Sequence, residues 1–283
     1  MVVIEDIATM KAYALDIKSK GKIIGFVPTM GYFHEGHLML MRMAKKISDH
    51  LIISIFVNPT QFEAGEDLDK YPRDMERDKN LASSAGVECI FAPSAKEMYP
   101  EDYTTYVTVE NLTNRLCGVS RPHHFRGVAT IVVKLFNIIE PDVAVFGKKD
   151  FQQLTVIKQM VKDLNMNVKI VGHPTVRESD GLAMSSRNVY LSLDEREKAL
   201  ILNKSLQHVK NLFKAGLRDA SKIKESVIQM ISSEKGCDID YVEIVDPERL
   251  SPVNTIEDKA IVALAVRIGS TRLIDNIVLG EQC

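Results

Sequence analysis

The sequence has no Cys-x-x-Cys pair, no long apolar run and no large excess of either charge. Its four cysteines lie far apart, so neither a zinc ribbon nor a thioredoxin-like redox site is expected. No apolar run approaches the roughly 20 residues of a membrane span. The formal net charge is −2 and the pI is about 6.4, so no basic field suggests a nucleic-acid partner.

The remaining composition is that of an ordinary globular protein. The chain has 283 residues, of which 45% are hydrophobic, enough for one large domain or two medium ones. Its N-terminus, MVVIEDIATM, carries acidic residues where a signal peptide needs basic ones. We therefore expect a cytoplasmic protein whose cysteines remain reduced.

Apolar, β-branched runs alternate with helical patterns up to about residue 175. This alternation predicts a Rossmann-like α/β fold, a parallel sheet with helices on both faces, in which ligands bind beyond the carboxyl ends of the strands. The predicted strands are 23–27, 51–57, 88–92, 143–146 and 168–172, and the predicted helices are 7–18, 37–48, 73–85, 127–139 and Phe151–Asp163.

The pattern changes after residue 175. Two helices are predicted at 193–215 and 220–233, followed by strands at 239–245, 259–267 and Thr271–Leu279. Helices followed by consecutive strands predict a smaller C-terminal α+β domain with antiparallel strands. We place the boundary between residues 1–175 and residues 176–283.

The most informative stretch is PTMGYFHEGH at residues 28–37, between a predicted buried strand and a predicted helix. A helix N-terminus offers unpaired N–H groups and a partial positive charge to a phosphate. His34 and His37 share one face of that helix start, and Gly31 and Gly36 let backbone approach a ligand closely. Two capping histidines would give the same pattern, so this stretch alone does not distinguish a phosphate-binding site from a helix cap.

Two further polar segments follow predicted strands. Asn58 and Gln61 in FVNPTQF can hydrogen-bond hydroxyls and carboxylates, although Asn-Pro also favours an ordinary turn. In FGKKDFQQL, the two lysines can neutralise phosphate oxygens, and Asp150 is well placed as a helix N-cap.

Two loops complete the set of candidate segments. Ser185, Ser186 and Arg187 lie at the proposed boundary and provide two hydroxyls and a fork-shaped cation, which suit a polyphosphate and equally suit a polar linker. The loop 61–71, QFEAGEDLDKY, is acidic, and we expect its acidic residues to be solvated in an ordinary connection.

Taken together, the segments resemble a known family. The strand–HxGH–helix arrangement followed by Met-Ser-Ser-Arg resembles the class I nucleotidylyltransferase superfamily. The ordered segments PTMGxxHxGH, FVNPxQF, YPR, HFRGV, FGxKDxQQL and DGLAMSSRN resemble the pantoate–β-alanine ligase family over essentially the whole chain, and the C-terminal YVEIVD and TRLIDNI also fit.

This resemblance implies a carbon–nitrogen ligase that joins (R)-pantoate to β-alanine. ATP is a substrate, pantoyl adenylate is the intermediate, and AMP and pyrophosphate are released. Mg²⁺ is expected to be held mainly by ATP phosphates and water. The resemblance further implies a homodimer through the N-terminal domain and a C-terminal lid domain, with no nucleic-acid or membrane partner.

The resemblance also implies the site residues. His37, as a proton donor, and His34, Lys149, Ser185 and Arg187 are expected to act on the phosphates, where we favour electrostatic stabilisation as the role of both histidines. Gln61 is expected to hold pantoate and β-alanine, Gln153 to hold pantoate, Asn58 to support that pocket, and Asp78 is the suspected metal ligand. The ATP contacts implied are Met30, Gly31, Tyr32, Phe33, His34, Glu35, Gly36, His37, Gly147, Lys148, Lys149, Asp150, Val176, Met184, Ser185, Ser186 and Arg187.

Three alternatives remain at this stage. Another class I nucleotidylyltransferase would join a nucleotide to a phosphorylated substrate and would not release AMP. An aminoacyl-tRNA synthetase is less well supported, because the C-terminal part is short and the composition shows no basic surface. A non-catalytic nucleotide-binding module would leave the recurrence of polar groups at strand ends unexplained.

Overall fold

The structure is a computed structural model that describes residues 1–63 and 65–280. Within these residues, the N-terminal part forms a six-stranded sheet in which every pair of neighbouring strands is parallel. The order across the sheet is β1-β4-β3-β2-β5-β6. The strands are β1 (Val2–Ile4), β2 (Ile24–Thr29), β3 (His50–Ile55), β4 (Cys89–Phe91), β5 (Val143–Gly147) and β6 (Lys169–His173).

Helices cover both faces of this sheet, and several begin at capping side chains. Asp6, Asp74 and Ser94 each accept a backbone N–H of the first turn of the helix that follows them, which satisfies one of the groups that a helix start leaves unpaired. The helices are α1 (Ile7–Ser19), α2 (Glu35–Lys46), α3 (Met75–Ser84), α4 (Ala95–Met98), α5 (Cys117–Ser120), α6 (His124–Ile139) and α7 (Phe151–Asp163).

The C-terminal part packs two helices on an antiparallel sheet. Ser192 and Glu195 form a capping box at the start of the first of these helices. The helices are α8 (Leu193–Lys214) and α9 (Ala220–Ser232), and the strands are β7 (Cys237–Val245), β8 (Ala260–Ile268) and β9 (Thr271–Leu279), in the order β7-β8-β9.

The position of β2 in the sheet determines where a ligand can bind. From β2 the chain continues to β3 and β4 on one side, and later returns to β5 and β6 on the other. Beyond the carboxyl ends of β2 and β5 the connecting segments diverge, which leaves a crevice. The HxGH segment follows β2 and the Gly-Lys-Lys-Asp segment follows β5, so both lie at this crevice.

The apolar core is continuous across the proposed domain boundary. One buried cluster contains Phe26 and Leu135 from the N-terminal part together with Ile261 and Ala263 of β8. A second cluster lies wholly within residues 182–279. The boundary at 175–176 stays a prediction, but the two parts share buried surface on either side of it.

The predicted fold class is confirmed, and the differences concern element ends and three short elements, β1, α4 and α5. Strand β1 is not among the predicted strands, and α6 begins at His124, three residues earlier than expected. In the described part of the chain, no helix has the length and apolar character needed to cross a bilayer. Cys89, Cys117 and Cys237 are free thiols there, whereas Cys283 lies outside the described residues.

Candidate active site

A deep cleft opens at the carboxyl ends of β2 and β5, and the linker that follows β6 forms its far wall. Most of the site residues expected from the sequence line it, and the structure therefore brings four separate segments of the chain together. The expected residues on its wall are Met30, His34, Gly36, His37, Asn58, Gln61, Gly147, Lys149, Asp150, Gln153, Val176, Met184, Ser185, Ser186 and Arg187. Those not on its wall are Gly31, Tyr32, Phe33, Glu35, Lys148 and Asp78.

His34 and His37 lie side by side at the start of α2. Their ring centroids are 4.1 Å apart, and His34 occupies the N-cap position of the helix. The backbone N–H of His34 donates to Nδ1 of His37 at 3.3 Å. Since Nδ1 accepts, the proton of the neutral His37 ring resides on Nε2, where it is available to donate to a ligand.

Both histidines are held neutral. Burial lowers the pKa of His34 to about 4, and the positive charge of Lys149 adds to this effect. Burial also lowers the pKa of His37 well below its usual value, with His34 and Lys149 contributing. Nδ1 of His34 is buried without a hydrogen-bond partner among the described residues. An unpaired buried ring nitrogen is the kind of group that a bound ligand satisfies.

Gly36 is required for this arrangement. A Cβ at position 36 would lie 2.8 Å from both Cε1 and Nδ1 of His34. Any side chain would therefore push the His34 ring away from the helix start, because real Cβ contacts are essentially never this short. The glycine between the two histidines is thus a requirement of packing as well as of ligand approach.

Asp78 of α3 shapes the loop that precedes the histidines. Its side chain is 1% exposed, and its carboxylate accepts the backbone N–H groups of Tyr32 at 2.6 Å and Phe33 at 2.7 Å. Burial nevertheless raises the pKa of this carboxyl. Both oxygens are engaged by backbone and Asp78 is not on the cleft wall, so this geometry lends no support to a role as Mg²⁺ ligand.

No other metal site emerges from the described residues. Among them, no group of three or more His, Cys, Asp and Glu side chains is placed to hold a metal ion.

A pair of amides forms the inner wall of the cleft. Asn58 is 1% exposed, and its Nδ2 donates to Oε1 of Gln61 at 3.2 Å and to the carbonyl of Gly127 at 3.1 Å. Oδ1 of Asn58 accepts from the hydroxyl of Tyr99 at 2.9 Å. Asn58 is therefore fully engaged and orients Gln61. The Nε2 group of Gln61 donates to Sδ of Met30 at 3.0 Å, and its second N–H remains for a ligand in the cleft.

The backbone of Gln61 is also fixed. Its carbonyl accepts from Nη2 of Arg121 at 3.1 Å and from Nδ1 of His124 at 2.7 Å. A Cβ on Gly127 would lie 2.2 Å from the carbonyl oxygen of Thr60, so only glycine lets α6 pack this closely on the 3-10 helix Pro59–Gln61. The donor of Gln61 is thereby held by both its side-chain and main-chain contacts.

One side of the cleft is apolar. The face of α6 that lies against it contributes Val128, Ile131, Val132 and Leu135, and Phe56 follows β3 nearby. No motif in the sequence marks these residues as ligand-binding. A branched apolar ligand fits such a wall because it buries surface there without leaving polar groups unpaired.

The two glutamines after β5 have different roles. Gln152 is 6% exposed and ties α7 to the segment before α5, donating to the carbonyl oxygens of Leu112 at 2.9 Å and Arg115 at 2.6 Å. Gln153, the next residue, lines the cleft instead. Gln153 is thus open to a ligand, and its expected contact with pantoate stays a prediction.

The C-terminal sheet holds the Lys148–Asp150 turn in place. Asn276 of β9 donates from Nδ2 to the carbonyl oxygens of Lys148 at 3.0 Å and Lys149 at 2.7 Å. The neighbouring Asp275 accepts two hydrogen bonds from Arg177, at 2.6 and 2.9 Å. Strand β9 therefore positions both the Lys149 segment and the linker, and the TRLIDNI segment was the only sequence signal that pointed to it.

The linker is closed over the cleft by contacts with the N-terminal part. Ser186 donates to the carbonyl of Tyr32 at 3.3 Å. Arg187 donates from Nε and Nη2 to the two carboxylate oxygens of Asp67, each at 2.8 Å. The Ser and Arg side chains of the linker thus line the same cleft as the histidine pair.

The expectation that the acidic residues of loop 61–71 are simply solvated is wrong for two of them. Glu66 accepts from Nε and Nη2 of Arg121, both at 2.6 Å, and Asp67 pairs with Arg187. Burial opposes ionisation of each carboxyl, but the adjacent guanidinium lowers the pKa of each below its usual value. Local composition could not reveal these pairs, since both arginines are more than 50 residues away.

A parallel sheet with a histidine pair at its switch point, faced by a Ser-Ser-Arg loop, defines a nucleotide-binding enzyme of the class I nucleotidylyltransferase type. The family model for pantoate-beta-alanine ligase matches residues 2–278. The chain therefore belongs to the pantoate–β-alanine ligase family.

Individual relatives agree with this assignment. The chain is 59% identical to the pantothenate synthetase of Acetivibrio thermocellus, over 99% of each chain. The crystal structure of pantothenate synthetase from Thermus thermophilus superposes with a TM-score of 0.93 at 43% identity, covering 98% of this chain and 99% of that one. A pantoate-beta-alanine ligase from Francisella tularensis, complexed with beta-gamma ATP and beta-alanine, gives a TM-score of 0.81 at 34% identity, covering 98% and 97%.

Proposed function

We propose that this protein condenses pantoate with β-alanine at the expense of ATP, forming pantothenate, AMP and pyrophosphate through a pantoyl adenylate. One observation carries the proposal beyond family membership. The same cleft is lined by His34, His37, Lys149, Ser185 and Arg187, which can bind phosphate, and by an oriented amide donor and an apolar face of α6. A single cleft can therefore hold a triphosphate and a small branched acid in contact with each other.

In the first step, a carboxylate oxygen of pantoate attacks the α-phosphorus of ATP. The bond from that phosphorus to the oxygen that bridges to the β-phosphate breaks, and pyrophosphate leaves with the electron pair. The attacking carboxylate is already ionised near pH 7, so no protein base is required. The reaction needs alignment and neutralisation of charge, which Lys149, Arg187 and Ser185 supply.

The histidines contribute as neutral donors. His37 presents an Nε2–H because its Nδ1 already accepts a backbone N–H. A ring whose pKa lies well below 6.5 carries no spare proton at neutral pH. We therefore favour hydrogen bonding to the phosphates over proton donation as the role of His37. Because the pKa of His34 is lowered as well, we favour the same role for His34.

Pantoate is a dihydroxy acid with two methyl groups on its central carbon. Its methyl groups would pack on the apolar face of α6, and its hydroxyl and carboxylate oxygens would accept from Gln61 and Gln153. Asn58 acts indirectly, because its amide is engaged by protein groups and sets the orientation of Gln61.

In the second step, the amine of β-alanine attacks the acyl carbon of the adenylate. A C–N bond forms, the bond from the acyl carbon to the bridging oxygen breaks, and AMP leaves with that oxygen while the nitrogen loses a proton. The donor of Gln61 lies beside the reacting carboxyl in this arrangement and can hold the incoming substrate. Mg²⁺ enters as part of the Mg–ATP substrate, with the phosphates and water as its main ligands.

A product assay with each substrate omitted in turn tests the proposal. ATP and pantoate without β-alanine should give pyrophosphate in an amount equal to that of the enzyme, with no free AMP. Addition of β-alanine should start continuous release of AMP. With pantoate carrying ¹⁸O in its carboxylate, one labelled oxygen should appear in each AMP, because the bridging oxygen comes from the acid.

Other outcomes would select the alternatives. If pyrophosphate is released only with a phosphorylated co-substrate and no AMP forms, the protein is another nucleotidylyltransferase. Binding of ATP without either product would indicate a nucleotide-binding module. AMP without the ¹⁸O label would exclude the adenylate route even if pantothenate forms.

We further propose that the protein is a cytoplasmic homodimer that associates through residues 1–175, with residues 176–283 acting as a lid domain. Residues 103–109 support the dimer, since Thr104, Thr105 and Tyr106 are exposed and β-favouring in a segment without regular secondary structure that pairs with no strand among the described residues. Mass measurement in solution, with and without the Tyr106→Lys substitution, tests this interface.

A further inference from the structure

Two adjacent carboxylates of loop 61–71 form ion pairs with two different arginines. Glu66 pairs with Arg121, which stands just before α6, and Asp67 pairs with Arg187 of the linker. Oε2 of Glu66 also accepts the backbone N–H of Glu63 at 3.1 Å. The loop is therefore anchored on the N-terminal part through Glu66, and Asp67 extends from this anchor to the linker.

The pair with Asp67 occupies only one edge of the Arg187 guanidinium. Nε and Nη2 donate to the carboxylate, whereas Nη1 has no hydrogen-bond partner among the described residues. Arg187 lines the cleft, and its guanidinium lies 6.0 Å from the centre of the Tyr71 ring. The free edge is thus available to a ligand while the other edge is held.

Asp67 itself does not line the cleft, and neither does Glu66. A carboxylate that occupied the phosphate position, to be displaced by ATP, would have to stand on the cleft wall. Asp67 instead pairs with the Nε and Nη2 edge of Arg187 and is not among the residues that line the cleft. This placement favours support of Arg187 over competition with the triphosphate.

We propose that Asp67 is a positioning residue, which holds Arg187 so that Nη1 meets the departing pyrophosphate during adenylation. The proposal rests on the proposed function, because it assigns Arg187 to the triphosphate. Arginine has a long flexible side chain, and a bidentate pair fixes the plane of its guanidinium as well as its position. Asn58 does the same for Gln61 at the other end of the cleft.

The test variant is Asp67→Asn, which keeps the size but not the charge. An asparagine can accept from Arg187 through one oxygen only, and its NH₂ group faces a second donor, so the bidentate pair is lost. Asp69→Asn is the matched control, since Asp69 lies in the same loop, is exposed and has no ion pair among the described residues. Asp67→Glu restores the carboxylate at a slightly longer reach.

The two half-reactions are measured separately. We expect Asp67→Asn to lower the single-turnover rate of pyrophosphate release from ATP and pantoate by about 10- to 100-fold, because misplacement by about 1 Å can cost that much. Aminolysis of supplied pantoyl adenylate by β-alanine should stay within about twofold of wild type, since pyrophosphate has already left. Asp69→Asn should match wild type in both assays, and Asp67→Glu should recover part of the lost rate.

Three results would overturn the proposal. A wild-type adenylation rate in Asp67→Asn would show that the pair does not matter for the chemistry. A lower KM for ATP in that variant would show that Asp67 competes with the triphosphate. An equal loss in both half-reactions together with a lower melting temperature would show a structural role only. Absence of pyrophosphate release by the wild type itself would instead refute the proposed function.

Discussion

The neutral state of His34 makes the stability of the free protein depend on pH. The pKa of this ring is about 4 in the folded protein, because it is buried and lies near Lys149, against a usual value of 6.5. Asp150 opposes the shift and Arg77 adds to it. Between these two pKa values the unfolded chain binds a proton that the folded protein does not. The contribution of the neutral His34 ring to the free energy of unfolding is therefore fully present above pH 6.5 and is lost as the pH falls towards 4.

The size of the effect follows from the two pKa values. Each pKa unit corresponds to about 1.4 kcal/mol, so full protonation of the unfolded state would cost about 3 kcal/mol of unfolding free energy. At pH 5, where the difference is only partly expressed, the loss from His34 is about 2 kcal/mol relative to pH 8. Burial lowers the pKa of His124 to about 3, so this residue also lowers the free energy of unfolding as the pH falls.

Urea unfolding at pH 8 and pH 5 measures this contribution, with His34→Asn as the comparison. Asparagine does not titrate and is a favourable N-cap residue, so it should preserve the start of α2. The drop in unfolding free energy between the two pH values should be about 2 kcal/mol smaller in the variant than in the wild type. Equal drops in the two proteins would refute the inference that His34 is buried in its neutral form.

Three further predictions concern the reaction. His37→Ala should slow pyrophosphate release by about two orders of magnitude or more with an unchanged circular dichroism spectrum, and near-normal release would contradict its place on the phosphates. Gln61→Ala should raise the KM for pantoate far more than that for ATP, because its donor faces the acid end of the cleft, and equal effects would count against this placement. Saturating Mg–ATP should protect residues 175–188 from proteolysis, and unchanged cleavage would argue against closure of the linker on ATP.

Strong local signals made most of the fold predictable. Strands β2, β3 and β5 are buried apolar runs with Pro28, Asn58 and Gly147 at or within three residues of their ends, and α7 has the predicted bounds Phe151–Asp163. Strand β1 was not predicted because three residues are too few to show the alternation of apolar and polar residues that is typical of a strand. It exists through parallel pairing with Cys89–Phe91, more than 80 residues away.

Some residues of the candidate site could likewise be predicted from the sequence, and others could not. The histidines were expected because the HxGH segment follows a predicted strand, where ligands bind, and Gln153 was expected because its segment resembles that of a known family. Asp67 and Asn276 were not, since their importance comes from partners that are distant in the sequence. A single sequence gives the charge of Asp67 but not the position of Arg187, so composition favoured the wrong interpretation of that loop.

The contact between Asn276 and the Lys148–Asp150 turn has a consequence for protein engineering. The Lys148–Asp150 turn, which lines the cleft through Lys149 and Asp150, is held by a strand that is made more than 120 residues later in the chain. The first 175 residues are therefore unsuitable as a stand-alone catalyst for transplantation into another scaffold. A chimera that exchanges the C-terminal part between relatives should keep activity only if the donor supplies an amide at the position of Asn276.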